Sequence, residues 1–173
     1  MPSRKIPLMD WFYYHIFNRW WNKNTIFFEY KDYKRFVENM KYYNLEYPDI
    51  KLLAWSIMPN HFHFILKSDK SGLNISNYMR KVQQSYAMYF KTKYRALSPD
   101  LELLKIPQFF EWRFKAKLIE DEDYLNKVHQ YVILNPIKHW IVDKIEDWAF
   151  TSYHQFEDKS GLDFNILDEL DLE

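Results

Sequence analysis

Hydrophobic side chains recur at two different periods along the chain, and the change of period distinguishes strands from helices. Aromatic and β-branched residues crowd the segment 14–21 and predict a strand. The segment 31–47 carries apolar residues every three or four positions and predicts an amphipathic helix. Two apolar runs follow, IKLLAWSIM and HFHFILKS, and the Pro59-Asn60 pair between them predicts an antiparallel hairpin.

The second half of the chain continues with the same two periods. A helix is predicted from about 74 to 94, followed by a loop at 96–108 that contains two prolines. The segment FFEWRFKAKLIE at 109–120 alternates basic with apolar residues, which predicts a strand with one face on the core. An acidic turn at 121–123 then begins a helix that Pro136 ends. The apolar stripe of the helix at 74–94 consists of Ile75, Met79, Val82, Tyr86 and Tyr89.

The predicted order of elements is β-α-β-β-α-β-α, which resembles the split βαβ arrangement of ferredoxin-like domains. We therefore predict an α+β fold with a ferredoxin-like antiparallel sheet and helices mainly on one face. The opposite face of such a sheet is then available to carry a functional site.

Composition excludes several classes of function. With 173 residues, 47% of them hydrophobic, the chain can form one domain with a proper core. It has no cysteine, which excludes disulfides, thiolate zinc sites and cysteine nucleophiles. Its two glycines, Gly72 and Gly161, are too few for a phosphate-binding loop, a dinucleotide fingerprint or the nucleophile elbow of serine hydrolases. Neither a membrane span nor a secretory signal is evident, so we expect a cytoplasmic protein.

The net charge of zero conceals an uneven distribution. Residues 157–173 contain seven acidic side chains and one lysine, so the rest of the chain carries a charge of +6. We therefore divide the chain into a domain at 1–156 and an acidic C-terminal tail at 157–173. A basic domain points weakly to a polyanionic partner, and an ordinary solvated surface is the alternative.

Two histidines stand one residue apart in the segment IMPNHFHFIL. Side chains two apart in a strand share a face, so His61 and His63 project together while Phe62 and Phe64 point to the other side. Two neutral imidazoles side by side suit a divalent metal. The spacing alone leaves open whether the pair binds a metal or is buried in the core.

Three segments, YHIFNRW, MPNHFHFIL and YVILNPIKHW, resemble the signature segments of single-tyrosine HUH transposases, and most closely those of the REP-associated branch. The likeness runs from about residue 13 to residue 151 and implies the palm fold of HUH endonucleases. It also implies single-stranded DNA cleavage through a 5′-phosphotyrosine link, with Tyr131 as the nucleophile. His61, His63 and Asn135 would then bind a divalent metal, Mg²⁺ or Mn²⁺.

The resemblance also implies a nucleic-acid partner, namely single-stranded or hairpin DNA bound by a monomer or a homodimer. Positive side chains would hold its phosphates, and aromatic side chains would stack on its bases. The basic candidates are Arg19, Arg113, Lys115, Lys117 and Lys138.

Two other functions fit the same residues. One is a non-catalytic nucleic-acid-binding protein on this scaffold, in which the histidines are vestigial. The other is a metal-dependent phosphodiesterase that uses water instead of Tyr131. The chain also departs from the family pattern at LSPDLELLKIPQFFEWRF, which lacks the segment with glycine and arginine usual in relatives.

Overall fold

The structure is a computed structural model that describes residues 7–106, 109–111 and 113–154. The predicted boundary between the domain and the acidic tail lies outside the described residues. Short 3₁₀ turns occupy Trp21–Lys23, Glu102–Lys105 and Ile145–Asp147. The helices and strands are β1 (Tyr13–Arg19), α1 (Tyr30–Glu46), β2 (Ile50–Met58), β3 (His61–Ser68), α2 (Gly72–Leu97), β4 (Lys115–Ile119), α3 (Glu122–Ile133) and α4 (Asn135–Lys138).

The four strands of the described chain form one antiparallel sheet in the order β2-β3-β1-β4. Helices separate β1 from β2 and β3 from β4, so the predicted α+β fold with a ferredoxin-like sheet is confirmed. No helix in the described part of the chain combines the length and the apolar character needed to cross a membrane.

The two faces of the sheet have different coverings. Side chains such as Ile16, Phe62 and Phe64 point into the main core, where they pack with α1 and α2. On the opposite face, Ile65 joins a smaller apolar cluster with Val128 and Val132 of α3. Because neighbouring residues of a strand point to opposite faces, the histidines of β3 lie on the α3 side.

Helix α2 is longer than the periodicity predicts. It begins after Ser71, whose hydroxyl accepts a hydrogen bond from the Leu73 amide, and it continues to Leu97. The predicted loop at 96–108 is therefore wrong at its start, and it also contains the 3₁₀ turn at Glu102–Lys105. Apolar contacts of this turn with the main core explain the extra structure.

The predicted strand at 109–120 is also shorter in the structure, where the regular strand covers only Lys115–Ile119. Phe109 and Phe110 are both buried, at 6% and 7% exposure. Adjacent side chains of a regular strand cannot both point inward, so this part of the chain does not extend β4 and pairs only through an isolated antiparallel bridge between Phe110 and Trp20. Arg113 lies in a bend before β4, and Trp112 lies outside the described residues.

The N-terminal segment crosses the start of α2 at Gly72. A Cβ atom at this position would lie 2.1 Å from the carbonyl oxygen of Leu8 and 2.3 Å from its carbonyl carbon. The Gly72 amide also donates a hydrogen bond to Asp10 Oδ1 at 2.7 Å. Glycine is required here by the close approach of another backbone.

Gly72→Ala is therefore expected to destabilise the protein by at least about 2 kcal/mol. For a chain of this size that corresponds to a fall in Tm of roughly 4–8 °C, which circular dichroism can follow. The sign is opposite to the usual benefit of alanine over glycine in a helix. In a chain lacking residues 1–9 the obstacle is gone, and the same substitution should be neutral or stabilising. An equal loss of stability in the full-length chain and in the shortened chain would show that the Leu8 backbone is not the obstacle.

Candidate active site

Three histidine side chains and one tyrosine meet on the α3 side of the sheet. The ring centres of His61 and His63 lie 5.3 Å apart on β3. His15 of β1 lies beside them, and its Nε2 is 2.8 Å from Nδ1 of His63. Tyr131 of α3 stands edge-on over this group, with its ring centre 5.5 Å from that of His63 and 5.8 Å from that of His15. The histidine pair and the tyrosine singled out in the sequence are therefore neighbours.

Asn135 follows Tyr131 by one helical turn and is completely buried. Its amide nitrogen donates to the backbone oxygen of Tyr131 at 3.3 Å. Its Oδ1 is buried and has no hydrogen-bond partner within the described residues. A buried oxygen without a partner is costly for the fold and is often explained by a bound ion or water.

The orientation of the His61 ring can be assigned from its neighbours. Asn60 donates from Nδ2 to the backbone oxygen of Lys23 at 2.9 Å, which turns Asn60 Oδ1 toward His61. That oxygen is 2.6 Å from His61 Nδ1 and can only accept, so Nδ1 carries the proton. The lone pair is then on Nε2. A histidine that binds a metal usually donates its other ring N–H in this way.

His63 makes the corresponding contact through its own Nδ1, which shares a hydrogen bond with His15 Nε2. When His63 is the donor, its Nε2 is likewise left with a lone pair. His15 is buried at 8% exposure and His63 at 7%, so water has little access to the two ring nitrogens of this bond.

Burial keeps these imidazoles neutral. It lowers the pKa of His63 to about 2, with smaller effects from the neighbouring His15, His61 and His139. It also lowers the pKa of His61 to about 4, where His139 acts in the same direction; the Asn135 side chain, close to the ring but not in hydrogen-bond geometry with it, acts in the opposite one. The pKa of His15 falls to about 4, first through burial and then through the positive charge of Lys117. At neutral pH all three rings are therefore uncharged, as metal binding through nitrogen requires.

No group of three His, Cys, Asp or Glu side chains in the described chain is arranged to hold a metal ion. The candidate set from the sequence is different in kind, because it combines two imidazoles with an amide oxygen. The neutral rings and the unpartnered Asn135 Oδ1 fit a divalent ion of intermediate softness.

A cleft of about 440 Å³ opens beside this group. Arg19 lies in its wall and forms a 2.6 Å ion pair with Glu111, which also lines the cleft. Lys138 Nζ lies 4.4 Å from the centre of the Tyr131 ring, so positive charge stands close to the phenol. The wall of the cleft includes Arg19, His61, His63, Lys115, Tyr131 and His139.

The other basic candidates are farther from the cleft. Lys117 is opposite His15 in the sheet, but its Nζ lies 4.8 Å from the ring centre of Tyr124 and it is not part of the cleft wall. Arg113 is exposed in the bend before β4 and is also not part of that wall. The predicted basic face of one strand thus contains Lys115 and Lys117 only.

His15 and His139 also belong to the site, although neither is among the residues predicted from the sequence. The ring centre of His139 is 4.7 Å from that of His61. Its position four residues after Asn135 and eight after Tyr131 is a helical spacing that could have revealed it. His15 could not be found from spacing, because its contact with His63 depends on how two distant strands pair.

The chain is similar to known proteins both in sequence and in fold. A family model for "Transposase IS200 like" matches residues 9–135, which include the histidine pair, Tyr131 and Asn135. A REP-associated tyrosine transposase structure, bound to a REP hairpin, superposes with a TM-score of 0.71. It is 18% identical, and the match covers 94% of this chain and 88% of that one. At this identity the likeness shows the fold.

Two curated relatives are REP-associated tyrosine transposases. One, from Haemophilus influenzae, is 22% identical over 110 residues, which are 64% of this chain and 62% of the relative. Another, from Escherichia coli K12, is 24% identical over 102 residues, which are 59% of this chain and 53% of the relative. The matched segments thus span between half and two thirds of these relatives. The chain belongs to the IS200-like transposase family, as the likeness of its motifs to REP-associated tyrosine transposases implied.

Proposed function

We propose that this protein is a metal-dependent transposase that cuts and rejoins single-stranded DNA with Tyr131 as the nucleophile. The observation that carries the proposal is the position of Tyr131. Its side chain is partly exposed, at 37%, and lines the cleft together with the histidine pair, with its ring centre 5.5 Å from that of His63. The tyrosines of the main core are instead buried or partly buried among apolar neighbours, as structural tyrosines usually are.

The proposed chemistry exchanges one phosphodiester for another. The phenolic oxygen of Tyr131 loses its proton and attacks the phosphorus, the bond from phosphorus to the 3′ oxygen breaks, and the departing 3′ oxygen takes up a proton. The products are a 5′-phosphotyrosine link and a free 3′-hydroxyl. Because the number of phosphoester bonds is unchanged, attack by a 3′-hydroxyl can rejoin strands without ATP. Lys138, with its Nζ 4.4 Å from the centre of the Tyr131 ring, places a positive charge beside the attacking oxygen, where it would stabilise the negative charge of the transition state.

His61, His63 and Asn135 would hold the divalent metal, through the two Nε2 atoms and the amide oxygen. When bound, Mg²⁺ or Mn²⁺ neutralises charge on the scissile phosphate and on the departing oxygen. Of the two, Mn²⁺ tolerates imidazole ligands better. Support comes from the neutral state of both rings and from the buried, unpartnered oxygen of Asn135.

The proposed substrate is single-stranded DNA next to a hairpin. Lys115 and Arg19 in the cleft wall, together with Lys138, would contact the phosphates near the cut. Lys117 and Arg113 would contact the strand farther away. The solved relative with the same fold is bound to a REP hairpin, which supports a hairpin partner for this chain.

The proposal is tested by covalent capture. The protein is incubated with Mn²⁺ and hairpin oligonucleotides that carry randomised single-stranded flanks and a 3′-end label. Label that migrates with the protein on a denaturing gel is expected, because Tyr131 retains the 5′ end of the labelled piece. EDTA should abolish this band, and a fully complementary duplex should give at least about tenfold less, since a paired strand cannot enter the cleft.

Other outcomes would support other functions. Cleavage that leaves free 5′-phosphate ends and no adduct would indicate a water-dependent phosphodiesterase. Metal-independent binding without cleavage of any oligonucleotide would indicate a non-catalytic nucleic-acid-binding protein. Either result would overturn the transposase mechanism while leaving the fold unaffected.

A further inference from the structure

Helix α4 ends in a backbone conformation whose left-handed position is normally occupied by glycine. The amide of Trp140 donates to the oxygen of Ile137 at 3.0 Å, and the amide of Ile141 donates to the oxygen of Pro136 at 2.9 Å. These two bonds define a Schellman motif, in which the residue after the C-cap adopts a left-handed conformation. That residue is Trp140, with φ of 56°. Glycine is preferred at such positions because a Cβ is unfavourable there.

Packing does not account for a tryptophan at this position. The Trp140 side chain is 91% exposed, and no large apolar side chain in the described part of the chain is more exposed. Neither burial nor the local backbone therefore favours tryptophan. A residue that violates a local preference in this way is a candidate for a functional role when it also lies beside a functional site.

The location of Trp140 connects it to the candidate active site. The preceding residue, His139, lies in the cleft wall, with its ring centre 4.7 Å from that of His61. Lys138, one residue earlier, holds its amino group over the Tyr131 ring. Consecutive Cα atoms are about 3.8 Å apart, so the indole starts at the rim of the cleft.

We propose that Trp140 is a stacking platform for an unpaired base of the strand that lies in the cleft. An exposed indole offers a flat apolar surface, and every nucleobase has a face that can stack on it. Lys138 would hold a neighbouring phosphate while the indole holds the base, which combines charge with stacking. The proposal rests on the proposed function, because it assumes that single-stranded DNA enters this cleft.

A protein partner is the less favoured occupant. Protein interfaces require a contiguous surface of roughly 800 Å² on each side, whereas Trp140 is a single exposed side chain between His139 and the half-buried Ile141, with Lys138 two residues before it. A single exposed aromatic beside positive charge fits a base and its phosphate better than it fits an apolar surface.

The test measures DNA binding and thermal stability for Trp140→Gly. The probe is a fluorescein-labelled oligo(dT) of 20 nucleotides, titrated in EDTA so that binding is separated from cleavage. The Kd is expected to rise roughly 5- to 150-fold, the usual effect of losing one stacked base. The Tm should stay the same or rise, because glycine relieves the left-handed strain. Trp140→Tyr, which keeps an aromatic face, should retain most of the affinity.

Two matched controls separate stacking from other effects. Trp11 is also exposed, at 64%, and also left-handed, with φ of 68°. Its amide donates to the backbone oxygen of Ser68 at 2.9 Å, so Trp11 lies at the end of β3 opposite to His61 and far from the cleft. Trp11→Gly should leave the Kd unchanged. An abasic strand of the same length keeps the phosphates and lacks the bases, so Trp140→Gly should not weaken its binding. Equal losses on both strands, or no loss on either, would overturn the proposal.

Protein association is tested by sedimentation of the same variants. A change of oligomeric state by Trp140→Gly, with unchanged DNA affinity, would show that Trp140 contacts protein and would also overturn the proposal. The covalent capture assay is independent of these measurements. An adduct with the wild-type chain, combined with unchanged Kd for Trp140→Gly, would refute the stacking role alone. Weaker binding by the variant without any wild-type adduct would refute only the cleavage mechanism.

Discussion

Replacing Tyr131 with phenylalanine is expected to abolish covalent capture of DNA, with a loss of at least roughly a thousandfold. The substitution removes one oxygen and keeps the ring that stands over His63 and His15. Since the side chain is partly exposed, the free energy of unfolding should change by no more than about 0.5 kcal/mol. Mn²⁺ affinity and DNA affinity should be close to those of the wild-type chain, because the proposed ligands and the basic side chains are untouched. The denaturing gel with 3′-labelled DNA measures the loss, and titrations with Mn²⁺ and DNA test what is retained.

Tyr124 provides the matched control for this experiment. It lies on the same helix seven residues earlier, partly buried against the smaller apolar cluster, with Lys117 Nζ 4.8 Å from its ring centre. Tyr124→Phe should therefore form the adduct as well as the wild-type chain does. An adduct that survives Tyr131→Phe but is lost in Tyr124→Phe would show that Tyr124 is the nucleophile. If both variants cut DNA and leave free 5′-phosphates, water is the nucleophile.

Local periodicity explains why much of the site could be predicted. The common face of His61 and His63 follows from the two-residue period of one strand, and the proximity of Tyr131 to Asn135 follows from the period of a helix. Both are short-range properties. That α3 packs its tyrosine onto the histidine face is a tertiary property, and it was supplied by the family resemblance rather than by any spacing.

The parts that could not be predicted depend on contacts between distant segments. His15 reaches His63 only because β1 pairs with β3 in a register that places Phe17 opposite His63. Asn60 was recognised as a turn residue, yet its side chain also orients His61. The shortened β4 has the same kind of cause, because burial of Phe109 and Phe110 in the main core overrides the alternating pattern around them.

The histidine group also gives the stability of the metal-free protein a specific pH dependence. An unfolded histidine titrates near pH 6.5, whereas the pKa of His63 in the folded chain is about 2 and that of His61 about 4. Below pH 6.5 the unfolded chain therefore binds more protons than the folded one. The contribution of these neutral rings to stability is complete above pH 6.5 and falls as the pH decreases toward the folded pKa values. At pH 5 the loss attributable to His63 alone is about 2 kcal/mol.

His63→Leu is accordingly expected to have two separate effects, one on metal binding and one on the pH dependence of stability. It removes a proposed ligand, so Mn²⁺ affinity should fall at least about 100-fold and the covalent adduct should disappear. It also removes a buried group that must stay uncharged, so the loss of stability between pH 7.5 and pH 5 in EDTA should shrink by about 2 kcal/mol. Free Mn²⁺ measured by electron paramagnetic resonance reports the first effect, and urea unfolding at both pH values reports the second.

The exposed His154, replaced by glutamine, should change neither. A smaller pH effect with undiminished Mn²⁺ binding would mean that His63 is a buried core residue and not a ligand. Weakened Mn²⁺ binding with the wild-type pH dependence would mean instead that the ring is a ligand that is already accessible to protons.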